Sequence, residues 1–186
     1  WSMGYFAGLL AGLMTETNKV GIVASYHDIP EVAGFTAGVK EVNGKAEVLV
    51  GEVGSWGDRE KGKSEANRIL HQGADILFPA GDAFAIEVIN AAREHHVYAI
   101  GFIIDQSFIA RDTVLASIIQ NVKEIYVEIA EAALKGDLDR FQGKVFDFDN
   151  GGHGLTKFGP MVPPDVVEKM ANYLEQYRKT KGKIGE

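Results

Sequence analysis

Residues 19–53, KVGIVASYHDIPEVAGFTAGVKEVNGKAEVLVGEV, carry the pattern that decides the fold. Lys19 to Ser25 is a β-branched apolar run bounded by polar residues, as expected of a strand buried on both faces. Pro30 to Val42 reads as a helix, opened by a proline and stopped by Asn43-Gly44. Ala46 to Val53 returns to strand. Two buried strands joined by a helix make a βαβ unit, and the strands of such a unit run parallel.

The rhythm continues outward. Asp58 to Gln72 predicts a helix with Ala66, Ile69 and Leu70 facing inward, and Ala74 to Ala80 a third strand. A helix over Ala83–His95, a strand over Val97–Ile104, a strand over Thr113–Ile119 and a helix over Asn121–Lys135 follow. Lys144 to Asp149 alternates and predicts one more strand, and Pro164 to Lys179 predicts a closing helix. Near the start, Gly4 to Met14 is apolar but too short to span a bilayer. Gly4, Gly8 and Gly12 recur there at every fourth position, which lets a helix approach its neighbours closely. The expected class is α/β, a doubly wound parallel sheet with helices on both faces.

Composition narrows the function. The 186 residues are 46% hydrophobic and 24% charged, values of an ordinary folded domain. A formal net charge of −7 opposes the phosphate neutralisation that duplex binding requires, so direct nucleic-acid binding is not expected. The basic cluster Arg178, Lys179, Lys181 and Lys183 reads as a solvated helix end. The chain has no cysteine, which removes thiolate metal sites and a thiol nucleophile. Its histidines lack metal-ligand spacing, and no GxGxxG, phosphate-binding loop or serine elbow is present. No metal, no cofactor and no catalysis are expected.

In a parallel sheet, ligands bind beyond the carboxyl ends of the strands. The residues placed there are Tyr26, His27 and Asp28, then Trp56, then Gly81, Asp82 and Phe84, then Asp105, and finally Gln120. Trp56 or Phe84 would stack on a flat ligand group, and the acids would accept hydrogen bonds from hydroxyls or amines. Asp58 and Asp82 are also placed to cap the helices they precede.

The segments Tyr5–Gly21, Asp28–Pro30, Gly34–Lys40, Gly54–Lys63, Gln72–Phe78, Ala99–Gly101, Asp105-Gln106 and Gly151-Gly152 resemble, in register, the basic membrane lipoprotein family with its PnrA-type nucleoside-binding proteins. The resemblance implies one lobe of a type I periplasmic-binding-protein fold. Residues 1–142 would form the C-terminal-type ligand-binding lobe and residues 143–186 the crossover strand and last helix. The N-terminal lobe, with any lipid anchor, would lie upstream, since Trp1 is an unusual biological start. The family's Gly-rich turn is here Ala80-Gly-Asp-Ala-Phe84, the carboxylate expected to hold ribose hydroxyls is replaced by Ile103, and a common lysine by Gln120. Charge-assisted hydrogen bonds of roughly 1.5–3 kcal/mol each are thereby lost. These departures resemble the Med branch, positive regulators of competence transcription-factor expression. They imply a non-enzymatic, membrane-anchored regulator of a Gram-positive bacterium that senses a small-molecule ligand or acts through a protein partner. The alternative is a nucleoside or other solute receptor of an ABC transporter, for which an intact polar pocket would speak.

Overall fold

The computed structural model describes residues 1–180. In chain order the elements are α1 (Ser2–Met14), β1 (Lys19–Ala24), α2 (Pro30–Val42), β2 (Glu47–Glu52), α3 (Arg59–His71), β3 (Ile76–Ala80) and α4 (Ala85–Glu94). There follow β4 (Tyr98–Ile103), β5 (Val114–Gln120), α5 (Val122–Leu134), β6 (His153–Leu155) and α6 (Pro164–Lys179). The six strands form one sheet in the order β2-β1-β3-β4-β5-β6. Pairings among β1 to β5 are parallel, and β6 closes the edge antiparallel to β5.

Side chains alternate across the strands and feed two cores. Val20, Ile22, Ile76, Phe78, Ile100 and Phe102 face α1, α2 and α6, while Val23, Leu77 and Ala99 face α3 and α4. Helix α1 is apolar on all sides because it is covered on all sides: Ser2 to Gly12 are all buried. Its glycines meet those of α2. A Cβ on Gly8 would stand 2.1 Å from the Phe35 carbonyl oxygen, and one on Gly38 2.1 Å from that of Tyr5, so the two backbones touch directly. Among the described residues, no helix is long and apolar enough to cross a membrane.

The predicted elements match the structure to within a few residues, with one exception. Lys144–Asp149 is not a strand. The Asn150 side chain accepts from the Asp147 amide (2.9 Å) and donates to the Val145 carbonyl (2.6 Å), folding the segment into a turn in place of a ladder. The short strand lies later, where Gly154 pairs with Ile119. At the opposite edge, Arg68 donates to the Val50 carbonyl of β2 (2.8 Å) and to Glu65 (2.8 Å).

Candidate ligand-binding site at the carboxyl ends of the strands

Three connections meet above β1, β2 and β3. The ladder extends past the strand ends through Val53 N–H to Ala24 O (2.9 Å) and Gly54 N–H to Ser25 O (2.8 Å). Ser25 crosses to β3 with its amide and its hydroxyl, both donating to the Ala80 carbonyl at 3.0 and 3.1 Å. The amide of Ala83 donates to the Trp56 carbonyl at 3.3 Å, joining the turn after β2 to the turn after β3. On this frame the Tyr26 and Trp56 rings meet edge to face, 6.0 Å between centroids, with 38% and 46% of each residue exposed. His27, Asp28 and Asp82 are exposed beside them. Two exposed aromatic rings in contact, flanked by carboxylates, can stack on and hydrogen-bond a flat polar group.

A hollow of about 380 Å³ opens between the ends of β3 and β4, lined by Gly81, Asp82, Ala83, Phe102, Ile103, Ile104 and Gln106. Its wall is mostly hydrocarbon. Ile103 holds φ of +69°, a left-handed conformation that is a genuine outlier for a β-branched residue. The Ile104 amide donates back to the Phe102 carbonyl (2.8 Å), closing a three-residue turn on Ile103 and leaving Ile104 55% exposed. Asparagine tolerates this backbone region far better. We therefore expect Ile103→Asn to hold or raise the urea midpoint, whereas a polar residue for a half-buried isoleucine elsewhere in a strand costs about 1–3 kcal/mol. A clear drop in that midpoint would show that no strain resides there.

The structure redistributes the predicted residues. Tyr26, His27, Asp28, Trp56, Gly81 and Asp82 share one end of the sheet. Phe84 does not join them: its side chain is fully buried against Gly81 and Gly62, where an added Cβ would meet the ring Cζ at 2.1 Å and the Phe84 Cβ at 2.4 Å. It fills the floor beneath the β3 turn and offers no stacking face. Asp58 caps α3, accepting from the Lys61 amide at 2.9 Å, but no side chain caps α4, so Asp82 is not a cap. Asp105 accepts from the Ser107 amide (3.0 Å) and lines a separate hollow with Arg111 and Lys157. Gln120 ends β5 opposite His153, also outside the apolar hollow. Gln106, which the sequence places with Asp105 at the same strand end but which is not among the predicted site residues, belongs to the wall. It is buried, its Oε1 accepts from the Phe102 amide (2.9 Å), and its amide donates to Ser117 Oγ (3.0 Å), so it pins the turn that forms the wall.

A second polar cluster lies under α6. Asp147 accepts from Ser2 Oγ (2.5 Å), Tyr177 Oη (2.6 Å) and the Phe148 amide (2.6 Å), with His153 Nδ1 at 3.4 Å. Burial pushes its carboxyl up, but hydrogen bonds from His153, Ser2, Tyr177 and Phe148 outweigh that and hold it well below the usual carboxylate range. Burial and the same carboxylate keep the Tyr177 phenol protonated far above neutral pH. Serine, histidine and aspartate meet here, but the serine hydroxyl donates its hydrogen bond to the aspartate, with His153 Nδ1 at 3.2 Å. The cluster fastens α1 to the crossover and α6. Of the basic C-terminal cluster, Arg178 bonds the Phe148 carbonyl (3.2 Å) and Lys179 pairs with Glu175 (2.6 Å), while Lys181 and Lys183 lie outside the described residues. No group of three His, Asp or Glu that could hold a metal occurs among the described residues.

A mostly parallel sheet covered on both faces, with an open aromatic and apolar site at its strand ends, defines the lobe of a type I periplasmic-binding-protein-like molecule. The chain belongs to the Bmp family, described as ABC transporter substrate-binding protein PnrA-like, whose model matches residues 1–184. It is similar to the transcriptional activator protein Med of Bacillus subtilis, 36% identical over 179 residues, spanning 96% of this chain and 56% of that protein. A purine-binding protein of Brucella abortus is 30% identical over 176 residues, covering 92% of this chain and 48% of its own. The crystal structure of a transcriptional activator of the comK gene from Bacillus halodurans superposes with a TM-score of 0.88 at 33% identity, over 97% of this chain and 63% of that one. The chain thus spans about half the length of the curated relatives named here. Each of these proteins is named for binding or regulation, none for catalysis.

Proposed function

We propose that this chain is the ligand-sensing lobe of a Med-type activator of transcription, a solute-binding fold turned from transport to regulation. The carrying observation is the Phe102-Ile103-Ile104 turn, which puts hydrocarbon on the wall where a sugar-binding site needs hydrogen-bonding groups. The likeness to the activators of Bacillus subtilis and Bacillus halodurans supports the same direction. In this reading a small molecule with a flat apolar face, or a protein segment presenting one, sits between the Tyr26–Trp56 pair and the apolar hollow, with Asp28 and Asp82 at the rim. Residues 1–142 form the lobe proper, and a lipid anchor on the full-length protein holds it at a Gram-positive membrane. The family description and the purine-binding relative favour a transport receptor as the second reading.

The full-length protein, placed in a Bacillus subtilis strain lacking med, should restore expression from a comK reporter. Trp56→Ala should lower that expression several-fold at unchanged protein level. A reporter that stays silent, together with a thermal upshift of the purified protein by purine nucleosides, would replace the regulator with the transport receptor. Stabilisation by a ligand at about 100 times its dissociation constant is about 2.7 kcal/mol, which such a scan resolves.

A further inference from the structure

We propose that a second site, at the amino ends of β4 and β5, binds a small organic anion carrying phosphate or carboxylate groups. It lies at the opposite end of the sheet from the aromatic site, since β4 begins at Tyr98 and ends at Ile103, about 17 Å away at the usual rise per residue. The cavity there measures about 560 Å³, a size ordinary for small-molecule sites.

Charge marks it out. The chain carries six arginines and a net charge of −7. Arg59, Arg68 and Arg140 pair with carboxylates, and Arg178 bonds the Phe148 carbonyl. Among the described residues Arg93 and Arg111 have no carboxylate partner; both line this cavity, and Arg111 also borders the hollow of Asp105 and Lys157. Arg93 is steadied by the Ile109 carbonyl at 3.4 Å. Asp112 is the single acid on the wall, against two guanidiniums. Forked guanidiniums match the oxygens of phosphate and carboxylate, and Tyr98 and Ile109 give an apolar floor for the body of the ligand.

The backbone here has to be outweighed by the guanidiniums, because the carboxyl end of a helix is the negative pole of its dipole. The His96 amide on the Arg93 carbonyl (3.1 Å) and the Val97 amide on the Ala92 carbonyl (3.0 Å) at the end of α4 reduce that opposition by engaging two of the carbonyls. The left-handed position of that cap, φ +56°, is ordinarily glycine, yet histidine stands there and lines the cavity as a further donor.

The test is calorimetric titration of the protein with sodium pyrophosphate and, separately, citrate, at ionic strength held constant with sodium chloride. Saturable binding of at least one is expected, weakened roughly 10-fold or more for each arginine lost in R93Q and R111Q. Arginine side-chain resonances of the unsubstituted protein should move on titration, a readout that needs no variant. H96G should raise the melting temperature without anion and weaken anion binding. Binding of pyrophosphate alone or citrate alone assigns the ligand's acid group. Absence of binding, or equal binding by wild type and R93Q/R111Q, overturns the site. W56A should leave the titration unchanged, so failure of the aromatic site and failure of this one are read separately.

Discussion

Gly8→Ala is expected to destabilise the protein by about 3 kcal/mol or more, and Gly8→Val to prevent folding. In an ordinary exposed helix, alanine for glycine gains roughly 1 kcal/mol. The sign reverses here because the added methyl would stand 2.1 Å from a backbone oxygen, that of Phe35, with no flexible side chain to yield. Relief requires α1 and α2 to separate along their whole contact. A Cβ on Gly34 or Gly38 of α2 would likewise stand 2.0 or 2.1 Å from the Trp1 or Tyr5 carbonyl oxygen, so the neighbouring turns are as tight. Separation would also lift Phe6, Leu9 and Leu10 from the sheet, all fully buried. Urea unfolding followed by circular dichroism measures the effect, and a Gly8→Ala protein as stable as wild type would refute the close contact.

Asp147→Ala should cost about 3 kcal/mol at neutral pH, because it strands the Ser2, Tyr177 and Phe148 donors in a buried setting. The loss should also depend on pH. The folded carboxyl is held below its ordinary 3.8, so the unfolded chain binds the proton more readily. The stabilisation is therefore fully present above the unfolded value and fades as pH falls through 3.8 towards the depressed folded value. Wild type and Asp147→Ala should approach each other in stability across that acid range and differ most near neutrality. Parallel curves from pH 7 to pH 3 would show that the carboxylate charge does not fasten the crossover.

The parallel strands were legible because burial on both faces writes itself as unbroken apolar runs such as Val20–Ala24. The bounds of α6 and the Asp58 cap were equally plain, being local rules of proline placement and carboxylate reach. What the sequence hid depends on partners distant along the chain. Residues 144–149 alternate in sequence but not in burial: Lys144 and Val145 are both exposed, Phe146 and Asp147 both half-buried and Phe148 buried, because the Asn150 side chain takes the backbone groups a strand would need. The Phe84 ring looked available until two glycines, one 22 residues upstream, proved to make room for it. Asp105 and Gln106 are adjacent, so composition could not say which would face the hollow. The unusual backbone at Ile103 had only an indirect signal, a residue of the wrong chemistry at a position where the resembling family carries a carboxylate.

The hydrogen bond from Arg68 to the Val50 carbonyl bears on solubility. Strand β2 is the outer strand on its side, and its middle, Val48-Leu49-Val50, is an apolar run on an open edge, where a foreign strand could pair. Glu47 and Glu52 bracket it as like charges that would face one another in any stacked copy. The Arg68 guanidinium occupies one of the carbonyls an incoming chain would need, and Glu65 holds that guanidinium in place. An ion pair between a half-exposed arginine and a buried glutamate thus guards the molecule against addition of a foreign strand.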